Sequence, residues 1–215
     1  LPGNTAAVTG YRPELMCWPV DAPADLDAAI ARATIIAVGP GLGQDDWARE
    51  ILSRVLATRL PLVVDADALN LLALKPARRR DCILTPHPGE AARLLGLSSA
   101  EVQADRPAAV AALSARFAAT VLLKGRSTLV SGAEGAPWII DRGNPGMATG
   151  GMGDVLTGII AGLRAQFPHA DAAAVTALAA WIHASAGDAA AAAGERGLTA
   201  GEVLERLRPW LNPGN

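Results

Sequence analysis

The chain has 215 residues, which is enough for one domain of ordinary to large size with a substantial core. Hydrophobic residues make up 51% of it and charged residues 19%, so a packed globule is expected and a disordered segment is not. The net charge of -2 gives no electrostatic reason to expect nucleic acid or an anionic membrane as a partner.

Short apolar runs alternate with helical stretches in the first half of the chain. The runs are Thr34–Val38, Pro61–Asp65, Cys82–Thr85 and Thr120–Lys124. The helical stretches are 45–58, 68–72, 91–95 and about 107–118. Apolar runs of four or five residues between helices are typical of parallel strands that are buried on both faces.

A different pattern follows the fourth run. Thr128–Val130 and Trp138–Ile140 predict an antiparallel hairpin at one sheet edge, with Gly132 to Gly135 as its connection. Further helices are predicted over about 151–165, 170–192 and 199–207. The last begins with Thr199 and Glu202 at the spacing of a capping box. The whole pattern predicts an α/β fold with three layers, α/β/α, around a mostly parallel central sheet.

Residues 1–215 are therefore expected to form a single domain, in which ligands bind outside the carboxyl ends of the strands. Polar residues and glycines concentrate directly after the predicted strands, in segments 39–43, 65–70, 87–90 and 124–128. No apolar run is long enough to span a bilayer, and Cys17 and Cys82 lack the spacing of a zinc site or a disulfide framework. Two unpaired cysteines suit a reducing cytoplasm, where we expect the protein.

A glycine-rich segment precedes the first of the later helices. Gly150, Gly151 and Gly153 let the backbone approach a ligand closely, and the free N–H groups of the first helical turn make an anion site there. It is not a Walker A loop, because no Lys-Ser/Thr pair follows the glycines. Asp154 is expected to be a base that takes a proton from an attacking hydroxyl. The alternative is that Asp154 caps the helix.

Other candidate residues follow the predicted strands. Lys124 and Arg126 are candidates for neutralising phosphate charge, with Ser127 or Thr128 as hydrogen-bonding groups for a nucleotide. The alternative is a tight turn with two solvated cations. His87 lies between two prolines that fix its backbone at the rim of the crevice, although a lone histidine there is also a common turn residue.

Carboxylates and an amide follow the second predicted strand. Asp65 and Asp67 suit a water-coordinated Mg²⁺, or one of them caps the helix that contains Asn70. Glu90 is interpreted as the first-turn acid of its helix. For His183 a structural role is preferred.

Together, these segments resemble the carbohydrate-kinase-like domain of the ADP/ATP-dependent NAD(P)H-hydrate dehydratases, which is ribokinase-like. The motifs that carry the resemblance are Gly39-Pro-Gly-Leu-Gly-Gln44, Asp65-Ala-Asp-Ala-Leu-Asn70, Thr85-Pro-His-Pro-Gly-Glu90, Lys124-Gly125 with Thr128, and Asn144 to Asp154. The match runs from Arg12-Pro-Glu-Leu15 to Leu207. Five motifs in order are specific, whereas the Gly-Gly-x-Gly-Asp element alone would indicate the ribokinase-like fold and no more.

The resemblance implies roles for the candidate residues. Gly41, Gly43, His87 and Asp154 would face the substrate, which is the hydrated nicotinamide nucleotide NADHX or NADPHX. Asp154 would be the catalytic base. The residues that would hold ADP or ATP are Lys124, Gly125, Arg126, Ser127, Thr128 and Gly153.

The implied activity is the nucleotide-dependent dehydration of the S-epimer of NADHX or NADPHX back to NAD(P)H, with Mg²⁺ as cofactor. Hydroxide is a poor leaving group, whereas phosphate leaves readily, so phosphoryl transfer to the ring hydroxyl followed by elimination of phosphate suits a kinase fold. The amides of Gly150 to Gly153 would stabilise the transferring charge. Similar enzymes often form homotetramers, and an NAD(P)HX epimerase is the expected fusion or working partner.

Two other functions remain open. A ribokinase-like kinase of a small alcohol, such as a vitamin precursor, would share Asp154 but leave a stable phosphorylated product. A non-catalytic nucleotide-binding domain would bind nucleotide regardless of an Asp154→Asn substitution. Family members usually have a further strand and a helix ahead of Arg12, where this chain has Leu1 to Tyr11, so we expect the domain to be N-terminally incomplete.

Overall fold

The computed structural model describes residues 2–132, 135–212 and 214. The strands are β1 (Ile36–Val38), β2 (Leu62–Val64), β3 (Cys82–Leu84), β4 (Thr120–Leu123), β5 (Thr128–Ser131) and β6 (Trp138–Ile140). Within the described residues they form one sheet whose strands are arranged in chain order. β1 to β4 are parallel, and β5 pairs antiparallel with both β4 and β6. The predicted mostly parallel sheet with an antiparallel hairpin at one edge is confirmed. Ala133 and Glu134, which belong to the predicted connection of this hairpin, lie outside the described residues.

Helices cover both faces of this sheet. They are α1 (Pro2–Tyr11), α2 (Leu26–Ile30), α3 (Asp46–Ala57), α4 (Ala66–Leu74), α5 (Pro88–Leu95), α6 (Ser99–Ala104), α7 (Arg106–Phe117), α8 (Met152–Gln166), α9 (Ala172–Ala190), α10 (Ala200–Glu205) and α11 (Arg208–Leu211). Successive strand residues point to opposite faces. Thus Val64 and Leu84 pack with α3 to α7, while Val63, Ile83 and Leu122 pack with α8 to α10. The predicted three layers are confirmed.

The last predicted helix is shorter in the structure than in the prediction. Thr199 and Glu202 do form the predicted capping box at the start of α10. However, α10 ends at Glu205 and a separate α11 follows, with Pro209 in its first turn. The helix predicted over about 199–207 is therefore confirmed, and it ends two residues before its predicted end. Within the described part of the chain, no helix is both long and apolar enough to cross a membrane.

Candidate active site

The carboxyl ends of the parallel strands meet at one edge of the sheet. The backbone N–H groups of Asp65, Thr85 and Lys124 donate to carbonyls at the end of the neighbouring strand or just beyond it, at 2.9 to 3.2 Å. These bonds align the residues that follow β2, β3 and β4. The candidate segments after the strands therefore line one edge, as the sequence predicts.

At this edge a buried carboxylate links three elements. Asp65 is 1% exposed, and its Oδ1 accepts a hydrogen bond of 2.6 Å from Lys124 Nζ. Its Oδ2 accepts one of 2.8 Å from Thr157 Oγ1, on the second turn of α8. Asp65 occupies the N-cap position of α4 without a capping bond from its side chain, so the capping alternative for it is wrong. The carboxylate instead joins the ends of β2 and β4 to α8.

The glycine-rich segment opens α8 directly beside this ion pair. Gly151 is the N-cap residue and has a φ of +84°, a conformation that favours glycine. A Cβ built on Gly153 would lie 3.1 Å from Lys124 Nζ and 3.5 Å from Asp65 Oδ2. Asp154 is exposed and is the third residue of α8. Because Gly151 occupies the cap position, the alternative that Asp154 caps the helix is wrong.

The loop that leads into α8 is hydrogen-bonded to the C-terminal end of α9. Asp188 Oδ2 accepts from the N–H of Gly143 at 3.0 Å, and its Oδ1 accepts from Asn144 Nδ2 at 3.0 Å. A Cβ on Gly187 would lie 2.3 Å from Met147 Sδ, so the methionine packs where α9 has no side chain. The loop is thus fixed by side chains that the sequence does not single out.

Asp67, in the first turn of α4, has different partners from its neighbour Asp65. Its carboxylate accepts from the N–H of Gly43 at 3.0 Å and from Gln44 Nε2 at 3.1 Å. Gly39, Gly41 and Gly43 all have positive φ in the loop that this carboxylate holds. Asp67 therefore shapes the loop after β1.

Asn70, the third member of the proposed polar site, faces α5. Its Oδ1 accepts a hydrogen bond of 2.8 Å from Arg93. Asp65, Asp67 and Asn70 thus have separate partners in the structure, and they do not converge on one position.

His87 is held by the first turn of α5. Its Nδ1 accepts from the N–H of Gly89 at 2.9 Å and that of Glu90 at 3.4 Å. The Glu90 carboxylate accepts from the His87 N–H at 2.8 Å and lies 3.5 Å from Nε2. The interpretation of Glu90 as a first-turn acid is confirmed. The imidazole side chain is 51% exposed at the rim, where it is free to contact a ligand.

Arg106 stabilises the turn after β4 through hydrogen bonds to its backbone carbonyls. Its guanidinium donates to the carbonyls of Leu123, Lys124 and Ser127 at 3.2 to 3.4 Å. Burial lowers the pKa of Arg106 from its ordinary value. Thr128 Oγ1 donates to the Gly125 carbonyl at 3.0 Å. No local pattern in the sequence points to Arg106, because its role depends on a contact between segments 17 or more residues apart.

Arg126 and Ser127, in the same turn, are exposed, and Ser127 has a φ of +54°. The predicted nucleotide-binding segment is therefore a tight turn that presents these two side chains outward, while its lysine points inward to Asp65.

His183, on α9, is close enough to Lys124 to be affected by its charge. It is 8% exposed, and no described residue hydrogen-bonds its Nε2. Burial and the charge of Lys124 lower the pKa of His183 to about 4, against a smaller opposing effect of the Met152 backbone. The imidazole is therefore neutral at neutral pH.

Comparison with known proteins gives a consistent result. A family model described as NAD(P)H-hydrate dehydratase matches residues 1–209. The chain is 50% identical, over 213 residues, to the bifunctional NAD(P)H-hydrate repair enzyme of Coxiella burnetii, a match that covers 99% of this chain and 43% of that protein. It is 44% identical to the ADP-dependent (S)-NAD(P)H-hydrate dehydratase of Neisseria meningitidis serogroup B, covering 96% of this chain and 70% of that one. The chain thus spans less than half the length of the Coxiella protein.

Solved structures show the same relationship. The ADP/ATP-dependent NAD(P)H-hydrate dehydratase of Bacillus subtilis, co-crystallised with ATP and Mg²⁺, has a TM-score of 0.81 and 28% identity, covering 98% of this chain and 76% of that one. A ribokinase-like superfamily protein of Enterococcus faecalis has a TM-score of 0.84 and 31% identity, covering 97% and 73%. The fold of this chain is ribokinase-like.

Proposed function

Because this chain belongs to the NAD(P)H-hydrate dehydratase family, we propose that it dehydrates the S-epimer of NADHX and NADPHX at the expense of ADP or ATP. One observation carries the proposal. The ammonium of Lys124 lies beside Gly153 in the first turn of α8, at the carboxyl edge of the sheet, and the next residue of that turn is the exposed Asp154. A cation, helix N-terminal amides and a carboxylate are the groups that phosphoryl transfer to a hydroxyl requires.

The proposed reaction has two steps. In the first, Asp154 takes the proton of the ring hydroxyl, whose oxygen forms a bond to the terminal phosphorus while the bond from that phosphorus to the leaving nucleotide oxygen breaks. Lys124 and the amides of Gly150, Gly151 and Gly153 stabilise the charge on the transferring group. In the second, the bond between the ring carbon and the phosphate oxygen breaks and its electron pair leaves with the phosphate, while the neighbouring ring carbon releases a proton to solvent and the electron pair of that C–H bond forms the double bond of NAD(P)H. The products are NAD(P)H, phosphate, a proton, and AMP or ADP.

The remaining site residues divide between the two ligands. Gly41, Gly43 and His87 face the hydrated nicotinamide, while Lys124 to Thr128 and Gly153 hold the nucleotide. The exposed hydroxyl of Ser127 and the exposed guanidinium of Arg126 support contact with a nucleotide at this turn.

Mg²⁺ is proposed as a cofactor that enters with the nucleotide. Among the described residues, no group of three His, Cys, Asp or Glu side chains is placed to hold a metal. Asp65 and Asp67 already accept hydrogen bonds with both oxygens. This donor set fits an ion bound mainly by phosphates and waters, which is the usual environment of Mg²⁺ at nucleotide sites. When bound, the ion neutralises phosphate charge.

We also propose that residues 1–215 form one domain of a cytoplasmic homotetramer that works with an NAD(P)HX epimerase. The bifunctional relatives support a second activity in a longer chain. Trp138 and Ile139, 54% and 65% exposed on the edge strand β6, support an oligomer interface. Cys17 and Cys82 are both free thiols, which supports a reducing compartment. Light scattering of the purified chain measures the oligomeric state.

The test of the activity is the return of near-UV absorbance when hydrated NADH is incubated with the chain, Mg²⁺, and ADP or ATP in parallel. We expect absorbance to return with at least one nucleotide. Asp154→Asn should lower turnover at least 100-fold, the lower range for loss of a general base, and should leave nucleotide affinity largely unchanged. Asp46→Asn, a matched change of an exposed carboxylate on α3, should have full activity.

Each rival predicts a different result. A kinase of a small alcohol would accumulate a stable phosphorylated product and leave the absorbance unchanged. A non-catalytic domain would bind nucleotide equally well with and without Asp154, and would give no turnover in either case. No return of absorbance from the folded chain with either nucleotide would refute the proposed activity of these residues.

A further inference from the structure

Asp65 is a buried carboxylate with two fixed partners. It is 1% exposed, and a charge buried to this extent is tolerated only when it is paired and hydrogen-bonded. Lys124 Nζ at 2.6 Å and Thr157 Oγ1 at 2.8 Å provide this pairing. Since both oxygens are engaged and almost no surface is exposed, Asp65 has no route to a ligand except through its partners.

The position of the ammonium relative to α8 depends on this contact. A lysine side chain has about 2 kcal/mol of rotamer entropy, and it is ordered only by a partner that fixes its end. Here the Lys124 side chain is 21% exposed and its Nζ lies 3.1 Å from the position that a Cβ on Gly153 would take. Asp65 holds it there, beside the first-turn amides of α8.

Among the described residues, the Lys124 ammonium forms its ion pair with Asp65. Asp65 is the carboxylate paired with Lys124, Thr157 contributes a hydroxyl, and the imidazole of His183 behind it is neutral at neutral pH. An anion that binds at Gly153 therefore meets an ammonium whose position is fixed by its ion pair with the buried carboxylate of Asp65. Losing that carboxylate would free the ammonium to move away from the anion.

We propose that Asp65 is a positioning residue that acts through Lys124: it holds the ammonium against the first turn of α8, so that the lysine and the helix amides contact the same phosphate of the nucleotide. The identity of the anion as a nucleotide phosphate rests on the proposed function. The positioning itself depends on the three-way contact of Asp65, Lys124 and Thr157.

A double-mutant cycle tests the proposal, with affinities for ADP and for adenosine measured by calorimetry and turnover measured alongside. Asp65→Asn keeps the shape of the side chain and removes its charge. It should weaken ADP binding about tenfold and leave adenosine binding unchanged. In a Lys124→Met background, Asp65→Asn should have no further effect on ADP binding, because the group through which it acts is gone.

Two further variants separate this role from general stability. Thr157→Val removes one partner of Asp65 and keeps the ion pair, so it should weaken ADP binding about threefold, again only when Lys124 is present. It also provides a test if Asp65→Asn does not fold. Thr176→Val is the matched control: Thr176 is fully buried and bonds to its own helix, so it should lower the melting temperature with ADP affinity unchanged.

The outcomes distinguish this proposal from the proposed function. Additive losses of ADP affinity from Asp65→Asn and Lys124→Met would refute positioning, as would equal losses of affinity for ADP and adenosine. Neither result would refute the proposed dehydratase activity if turnover is observed. Coupled losses in ADP affinity without any turnover would support positioning and refute the dehydratase. A folded wild-type chain that binds no ADP would refute both.

Discussion

The stability of the fold should depend on pH through one buried histidine. His183 is 8% exposed, and burial together with the charge of Lys124 lowers its pKa from 6.5 to about 4. In the unfolded chain the imidazole returns to its ordinary value. A difference of one pKa unit between two states corresponds to about 1.4 kcal/mol.

The direction of the effect follows from which state binds the proton. Above pH 6.5 His183 is neutral in both states and contributes nothing to the pH dependence. As the pH falls below 6.5, the unfolded state binds a proton and the folded state does not, so the folded state loses about 1.4 kcal/mol per pH unit until about pH 4. Between pH 7 and pH 5 the loss is about 2 kcal/mol, a large part of the stability of an ordinary domain.

Urea unfolding of the wild type and of His183→Gln at pH 7.5, 6 and 5 measures this contribution. The substitution changes stability at every pH, but it removes the titrating group, so the difference between the two proteins should shift by about 2 kcal/mol from pH 7.5 to pH 5. Parallel curves for the two proteins would show that the imidazole has the same pKa in the folded and unfolded states, and the lowered pKa of folded His183 would be wrong.

Two further predictions concern the loops that surround the site. Gly39→Ala should cost at least about 3 kcal/mol in urea unfolding, because its Cβ would lie 1.7 Å from the carbonyl oxygen of Asp65 at a φ of +132°. The matched Gly41→Ala, at a φ of +65° with nothing within 4 Å, should cost about 1 kcal/mol, and equal costs would contradict the steric reasoning. Asp188→Ala removes the acceptor for Gly143 and should cost about 2 kcal/mol. An unchanged melting temperature would show that this anchor contributes nothing.

Much of the fold follows from local sequence pattern. Each parallel strand is a short apolar run, and the structure places β1 to β4 within one or two residues of the predicted bounds. The pattern is informative because a strand buried on both faces requires apolar residues at every position. The capping box at Thr199 and the acid at Glu90 were also predicted, since both depend on residues three positions apart.

The motifs that carry the family resemblance were predictable as well, because each is a contiguous segment at the end of a strand. Helix boundaries were less so. Helix α10 begins where it was predicted but ends at Glu205, two residues before the predicted end.

The sequence by itself therefore determined the layers, the order of the elements and the edge of the sheet where the candidate segments lie, since periodicity and turn residues act over a few positions. Only the tertiary structure decided the partners within the site. Lys124 lies 59 residues from Asp65, and Thr157 lies 92 residues from it. The burial of His183 likewise depends on how α9 packs behind β4. Such pairings arise when the sheet and helices assemble, and no local preference of the chain specifies them.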